Sequence, residues 1–274
     1  MDYTTVLTNR ELRMAARKQL KGVWGKMMLA VFVCYLFYIP VSVAAVLFAS
    51  NIAVRHDAII LVLAALGIAG RLLSCVPGGP VAVGIAGLFL KMVRGGKISV
   101  GNILDGFKMR FWDNVLLYLL KAVFVILWSL LLIVPGIVKM YSYSMAYQIM
   151  HDNPGMRPLQ VLAKSRIMMN GSKFRLFKLH LSFAGWLLLP VVITEAVIIG
   201  TGTSGMSFFV LLFAFSLTAW VCLFLLLPYI SLAGTNFYEN LKTWFEKQAV
   251  VSSMPVSVDE NPETGNTGSK ITEG

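Results

Sequence analysis

Three ionisable side chains, Lys121, Lys139 and Glu195, lie inside long apolar runs of this sequence. Within a membrane-spanning helix such groups are costly, and they usually pair with each other or face a polar cavity. The topology predicted below places Lys139 and Glu195 at similar depth near the outer side. We therefore expect them to form an outer polar cluster with Arg71. Lys121 lies about two turns into its run, from where its ammonium can reach the inner surface.

A second candidate is a polar stripe in the run IVKMYSYSMAYQIM at 137–150. The stripe consists of Lys139, Tyr143 and Tyr147, with Ser144 and Gln148 beside them. Residues four apart share one face of a helix. Such a stripe either makes hydrogen bonds between packed helices or lines a transport pathway. We expect packing, because polar side chains in membrane helices commonly bond across helices.

Catalytic and metal-binding patterns are weak in this sequence. His180 and Asp152 could form an acid–base pair, but no Ser or Cys has the setting of a nucleophile. HExxH, HxxxH and a P-loop are all missing from the sequence. Cys34, Cys75 and Cys222 lie far apart, in or beside apolar runs, without metal-ligand spacing. The sequence therefore predicts no enzyme, no metal site and no cofactor.

The apolar content identifies the elements that must position these residues. The chain is 57% hydrophobic and 14% charged, whereas soluble domains carry about 25% charged residues. The runs 27–49 and 207–230 contain no charged residue. Each is long enough to cross a bilayer as a helix, which takes about 20 residues. A soluble core could not hide several helices that are apolar all round, so the sequence predicts a multi-pass membrane protein.

The net charge of +11 fits the same interpretation. Most Lys and Arg residues flank the apolar runs, where the positive-inside rule places them on the cytoplasmic side. This account covers the residues that would otherwise suggest nucleic-acid binding. We expect a bilayer with anionic headgroups as the partner, and no nucleic acid; a membrane-protein partner is left open.

The apolar runs predict an all-α bundle of about six membrane-spanning helices, arranged as three hairpins with both termini inside. The predicted spans are about 27–49, 73–93, 113–134, 137–150, 176–199 and 206–231. Residues 58–71 form an outer approach segment, and Pro77-Gly-Gly-Pro80 breaks the region that follows. Pro135-Gly136 supplies the turn between the third and fourth spans.

The flanking segments complete the predicted organisation. Residues 1–26 form an amphipathic N-terminal helix at the membrane interface, with Thr8 and Glu11 at capping-box spacing. Residues 27–248 form the transmembrane domain, which ends in an interfacial segment at 237–247. The polar, acidic tail at 249–274 has the composition of a disordered segment.

A short motif marks two of the predicted entries into the membrane. GFKMRFW at 106–112 and GSKFRLF at 171–177 both read G-x-K-x-R-x-aromatic, and LKGVWGK at 20–26 is a looser copy. Glycine lets the chain bend, and Lys and Arg hold the bend at an anionic inner surface. We call these segments elbows, including Lys178 directly after GSKFRLF, and we expect five of their residues to bind anionic lipids. These residues are Lys108, Arg110, Lys173, Arg175 and Lys178.

Five stretches together resemble a family of bacterial integral membrane proteins, domain-of-unknown-function family 975. They are RELRMAARKQLKGVWGK, the run from GPVAVG to GGKISVGNILDGFK, PGIVKMYSYSMAYQIMHDNP, SRIMMNGSKFRLFKLHLSFAGWLLL and LPYISLAGTNFYENL. The resemblance spans about residues 8–245. It implies a helical protein of the bacterial plasma membrane, but no activity, substrate or catalytic residue. A more distant likeness, in architecture alone, is to the membrane domain attached to some glycerophosphodiester phosphodiesterases.

Three classes of function follow from these observations. The expected class is a non-catalytic membrane component that binds lipid or protein, and the alternative is a small-molecule transporter. A lipid-active enzyme has little support. A deep cavity that reaches Tyr143 and Lys121 would favour transport, because broken helices line many transport sites. A solid bundle with grooves only at headgroup level would favour the first class.

Overall fold

The structure, a computed structural model, describes residues 7–36, 76–201 and 206–253. All regular secondary structure in these ranges is helical, which confirms the expected all-α class. The helices are α1 (Asn9–Leu20), α2 (Trp24–Leu36), α3 (described for Val76–Val93), a 3₁₀ helix (Val100–Leu104), α4 (Asp105–Lys108), α5 (Phe111–Leu131), α6 (Ile133–Ser142), α7 (Ala146–Asp152), α8 (Pro158–Met168), α9 (Lys173–Thr201) and α10 (Met206–Ser253).

The first helix, α1, begins as its sequence predicts and packs against protein. The Thr8 backbone N–H donates to Glu11 Oε2 at 2.6 Å, and Thr8 Oγ1 accepts from the Glu11 N–H at 3.4 Å, which completes the capping box. The apolar face of α1 is fully buried and packs on α10. It consists of Leu12, Ala16 and Leu20. The face expected to meet the membrane interface is therefore covered by the protein itself.

The second predicted hairpin is formed by α5 and α6, which pack closely against each other. The turn lies at the extended residue Leu132 and not at Pro135-Gly136. Pro135 instead lies in the first turn of α6, where its missing N–H removes no helical hydrogen bond. Gly136 lies against Ser129 of α5, and a Cβ there would overlap the serine. Helices α5 and α6 thus come close together at a position where α6 has a glycine.

The predicted fourth span is a broken helix, which corrects the continuous span expected at 137–150. Helix α6 ends at Ser142, a turn occupies 143–145, and α7 continues from Ala146. The Ser142 carbonyl accepts a hydrogen bond at 3.0 Å from Ser165 Oγ of α8. A break inside a low-dielectric region needs such outside partners for its backbone groups. The neighbouring helix α8 therefore helps to stabilise the break.

The last helix, α10, is one helix of 48 residues that continues through Pro228. We had expected a span at 206–231 and a separate interfacial segment at 237–247. At 1.5 Å per residue α10 is about 72 Å long, more than twice the thickness of a hydrocarbon core. It also includes residues 249–253, which the sequence assigned to the tail, whereas 254–274 lie outside the described residues.

Helix α3 is described from Val76, so Pro77-Gly-Gly-Pro80, where a break was expected, lies in its first described turns, and these residues are helical. It packs closely on the segment that leads into α5. A Cβ at Gly84 would overlap the Ile103 carbonyl oxygen, and Asn114 is buried beside this crossing. The Asn114 amide donates to the carbonyl oxygens of Gly106 at 2.7 Å and Met109 at 2.6 Å. The predicted approach segment 58–71 lies outside the described residues.

Most of the buried core belongs to one set of segments, which we call the base. The base consists of α1, the second half of α3, α7, α8, the first turns of α9 and residues 229–245 of α10. By length and composition, two described helices could cross a membrane. Val76–Val93 is 67% buried, and Phe111–Leu131 is only 17% buried. The base therefore supplies the packing, while α5 leaves most of its apolar surface uncovered.

Candidate functional site

The chain bends at all three elbows, but the bend is not at the same motif position in each of them. Gly22 and Gly171 have positive φ values of 87° and 79°, and α2 and α9 begin two residues after them. In the copy at 106–112 the bend lies at Arg110, with φ 32°, directly before α5. Gly171 and the looser copy at Gly22 therefore share one geometry, which the left-handed conformation of glycine permits.

The basic elbow residues fall into two groups. Arg110 pairs with Asp113 and donates to the carbonyl oxygens of Pro154 and Gly155. Arg175 donates to the Leu7 carbonyl oxygen. These two arginines therefore fasten the elbows to neighbouring parts of the protein.

The elbow lysines are placed differently from the arginines. Lys108 and Lys178 are exposed, and Lys173 is half-buried. The Lys178 ammonium lies 4.6 Å from the centre of the Phe174 ring. Phe174 and Trp112 are exposed aromatic side chains that follow the two bends. Exposed lysines next to exposed aromatics are typical of a membrane–water interface. The binding of anionic lipid by the elbows stays a prediction.

The polar stripe packs on α5 in an ordered series. The Lys121 ammonium lies 4.2 Å from the Tyr147 ring centre, and the Lys139 ammonium lies 4.3 Å from the Trp128 ring centre. Between these two contacts, the rings of Phe124 and Tyr143 have centres 6.1 Å apart. Each cation thus lies over an aromatic face, which stabilises it by about 0.5–2 kcal/mol.

The outer polar cluster is described only in part. Lys139 stacks on Trp128 as above. Arg71 lies outside the described residues, and Glu195 belongs to α9 but its side chain is not described. The cluster therefore stays a prediction.

A cavity of about 320 Å³ lies beside the break between α6 and α7. Its lining comes from α3, from the turn and the start of α7, from α9 and from α10. The lining residues are Ala82, Ile85, Ala86, Phe89, Ser144, Met145, Tyr147, Gln148, Leu176, His180, Ile230, Ser231, Gly234 and Thr235. Two members of the predicted stripe, Ser144 and Tyr147, are among them, whereas Tyr143 packs on Phe124. The cavity is thus a place where neutral polar groups meet apolar ones.

Two polar side chains of this cavity have hydrogen-bonding capacity that the described residues do not use fully. Gln148 Oε1 is buried and accepts no hydrogen bond from any described residue. His180 Nδ1 and the Tyr141 hydroxyl are 3.2 Å apart and form a hydrogen bond, which leaves the other ring nitrogen for a further partner. His180 is therefore engaged with Tyr141.

A charged cluster closes the far end of α7. The side chain of Asp152 is 6% exposed, and its Oδ2 lies 2.7 Å from both Arg94 Nη2 and Lys242 Nζ. The Tyr238 hydroxyl donates to the same oxygen at 3.0 Å, and Arg94 Nε donates to Glu239 at 2.9 Å. The cluster joins α3, α7 and α10 through one buried carboxylate.

The electrostatics of the cluster follow from this geometry. Burial alone would raise the pKa of Asp152, but contacts with His151, Arg94 and Lys242 outweigh burial and hold that pKa well below its usual range. Burial and the Asp152 carboxylate raise the pKa of the Tyr238 hydroxyl, which stays protonated. The cluster is therefore charged and intact at neutral pH.

The sequence did not predict this cluster. Asp152 was singled out as half of an acid–base pair with His180, but the structure gives each of them a different partner. Arg94 is one of the Lys and Arg residues that flank the apolar runs, and no pattern in the sequence pairs it with Asp152. In the described ranges, no group of three or more His, Cys, Asp or Glu side chains could hold a metal ion.

A second cavity, of about 420 Å³, lies between α8 and α10 in the base. Lys164 and Lys242 lie beside the apolar side chains of Ile167, Met168 and Phe245. Tyr238, Asn153 and Glu246 complete the lining. Cations next to apolar surface suit the boundary between lipid headgroups and acyl chains.

Comparison with known proteins gives one match. The profile of the family described as "Protein of unknown function (DUF975)" matches residues 1–142 and 130–244. No curated protein and no solved structure matches the chain. The likeness to phosphodiesterase-associated membrane domains therefore stays a prediction.

Proposed function

We propose that this chain, which belongs to the DUF975 family of proteins of unknown function, is a non-catalytic membrane component whose base binds anionic lipid headgroups. It spans the bacterial plasma membrane several times, as about six helices in three hairpins, with both termini inside. The base lies at the inner surface in this arrangement. The proposal rests on where the structure leaves apolar and basic side chains exposed.

The single observation that carries the proposal is the exposed apolar surface of the α5–α6 hairpin. Leu130 is 81% exposed and Ile133 is 76% exposed, at the tip of the hairpin. The neighbouring exposed residues are Ile126, Leu127, Leu131, Leu132, Val134, Ile137 and Val138. Soluble monomers rarely expose a continuous apolar patch of this kind. A hydrocarbon environment removes the cost of that exposure, which favours a membrane-spanning hairpin.

The elbows support the lipid-binding part of the proposal. Lys108 and Lys178 are exposed beside the bends that lead into α5 and α9. Each exposed Lys near an anionic leaflet contributes about 1 kcal/mol of attraction. Lys164, in the groove between α8 and α10, adds a cation beside apolar side chains. Anionic headgroups that contact the base would therefore meet lysines and apolar surface together.

The experiment compares the binding of two spin-labelled lipids to the full chain in bilayers. We expect wild type to prefer phosphatidylglycerol over phosphatidylcholine. The double variant Lys108→Gln/Lys178→Gln should lose most of that preference, whereas Lys270→Gln, which removes a charge from the polar tail, should keep it. An equal preference in all three proteins would show that the elbows do not bind lipid.

A second candidate, a small-molecule transporter, is favoured by the cavity at the α6–α7 break. Broken helices line binding sites in many transporters, because their backbone groups face the cavity. The Lys121 ammonium stacks on Tyr147, which lines this cavity, so one ionisable group lies directly behind the wall. Uptake of a solute into liposomes that contain the chain, and not into liposomes of the Gly234→Leu variant, would support transport.

A further inference from the structure

We infer that the cavity at the α6–α7 break binds a small uncharged amphiphile, with one hydroxyl or amide group and a short apolar body. The inference goes beyond the lipid binding proposed for the base, because the site uses neutral side chains of α3, α7, α9 and α10 and not the elbow lysines. It does not depend on whether the elbows bind anionic headgroups.

Small residues contribute to the lining of this space. Ala82 and Ala86 line it from α3, and Gly234 lines it from α10. A Cβ added at Gly234 would meet no atom within 4 Å, so the helix leaves room there. The volume of about 320 Å³ lies at the lower end of the range for ligand pockets, about 300–1,000 Å³. A ligand of this site is therefore small.

The lining selects an uncharged ligand. Among the described residues the lining contains no Lys, Arg, Asp or Glu, so an ionised group in the cavity would lose part of its water without gaining a counterion from them. Ser144, Gln148 and His180 offer hydrogen bonds to a neutral polar head. The apolar part of the wall suits a short hydrocarbon body. It consists of Ile85, Phe89, Leu176 and Ile230.

The wall at the break is held in place on both sides. The far end of α7 is fixed by the contacts of Asp152 with Arg94 and Lys242. The near end is fixed by the stacking of Lys121 on Tyr147. A site whose side chains are already positioned loses less conformational freedom on binding, which favours affinity. The break therefore forms a prearranged site.

The first test uses photoreactive 3-azioctanol on the full chain in lipid nanodiscs, with mass spectrometry to locate the adducts. We expect adducts in segments 82–89, 144–148 and 230–235. Excess 1-octanol should compete with the probe for these segments. Octanoate and octylammonium carry the same apolar body with a charged head, and they should compete about tenfold less well. Tenfold weaker binding corresponds to about 1.4 kcal/mol of binding free energy. Labelling that is confined to the lipid-facing residues 130–134, or equal competition by all three compounds, would refute the inference.

The second test fills the cavity. Gly234→Leu places a side chain in the open space, and Gly185→Leu makes the same substitution on α9 at an exposed position that is equally free of close contacts. Labelling of segments 82–89 and 144–148 should fall about tenfold in the first variant and stay unchanged in the second, a difference of about 1.4 kcal/mol. Unchanged labelling in a folded Gly234→Leu protein would contradict the assignment. The competition test needs no variant and decides the matter if this one does not fold.

The third test reverses the charge preference. Gln148→Glu would add a carboxylate to the lining, so octylammonium should become the strongest of the three competitors. An unchanged order of competition in this variant would mean that the probe does not contact the side chain at 148, and would count against the site.

Discussion

Arg94 and Asp152 form an ion pair, with Nη2 and Oδ2 2.7 Å apart, that joins the end of α3 to the end of α7. The two residues are 58 positions apart in the sequence. Lys242 and Tyr238 of α10 contact the same carboxylate oxygen. The cluster therefore connects three helices of the base and holds one side of the cavity wall.

Removal of the buried charge should destabilise the base. Asp152→Asn leaves Arg94 and Lys242 without their shared counterion. Breaking a fully buried pair costs about 3–5 kcal/mol, and we expect about 2 kcal/mol here because both cations are partly exposed. Thermal unfolding in detergent measures the loss.

The control for that variant is Asp113→Asn. It removes a carboxylate that pairs with Arg110, whose side chain is 48% exposed. We expect a loss of less than about 1 kcal/mol, as for surface ion pairs. Equal losses in the two variants would show that the Asp152 cluster stabilises the base no more than a surface ion pair does.

The same carboxylate predicts an acid-sensitive stability. The pKa of Asp152 is lowered in the folded protein, so its contribution is complete above the unfolded pKa of about 4 and is lost as the pH falls through the lower folded pKa. The melting temperature of wild type should therefore fall more steeply than that of Asp152→Asn below about pH 4. Parallel curves for the two proteins between pH 5 and pH 2 would contradict the assignment.

The close crossing of α3 predicts that Gly84 does not tolerate a side chain. In Gly84→Ala the added methyl group would overlap the Ile103 carbonyl oxygen, and backbone atoms cannot move away easily. We expect a loss of about 1–3 kcal/mol in unfolding free energy.

Gly25→Ala in α2 is the matched control, because a Cβ there meets no atom within 4 Å. Alanine is the better helix former, so this variant should gain up to about 1 kcal/mol. A neutral Gly84→Ala variant would mean that α3 does not cross the 3₁₀ helix as closely as described.

The break between α6 and α7 should depend on Ser165. In Ser165→Ala the buried Ser142 carbonyl loses the hydroxyl that donates to it from α8, which costs about 1–3 kcal/mol. Thr243→Ala removes a similar hydroxyl, from an exposed bond within α10, and should cost much less. Hydrogen exchange at residues 142–146 should rise in the first variant alone; protection equal to wild type would show that α8 does not stabilise the break.

Local features of this fold could be predicted from the sequence, because neighbouring residues encode them. The Thr8–Glu11 capping box and the bends at Gly22 and Gly171 are of this kind. The break at 143–145 was missed because the apolar pattern continues through it, and its partner Ser165 lies in another helix. The continuity of α10 was missed because the change from apolar to polar residues after position 231 suggested an end. The Asp152 cluster was missed because its partners are distant in sequence.

The most direct test of the membrane-spanning arrangement uses single cysteines in intact bacterial cells. First, Ser replaces the three native cysteines, Cys34, Cys75 and Cys222. One new cysteine is then introduced in each protein. It is either Leu132→Cys, at the exposed tip of the α5–α6 hairpin, or Lys18→Cys, on the exposed side of α1. Labelling with a membrane-impermeant maleimide should modify the cysteine at 132 in intact cells and the cysteine at 18 only after permeabilisation. If both cysteines react only after permeabilisation, or both react from outside, the hairpin does not cross the membrane with the base on the inner side.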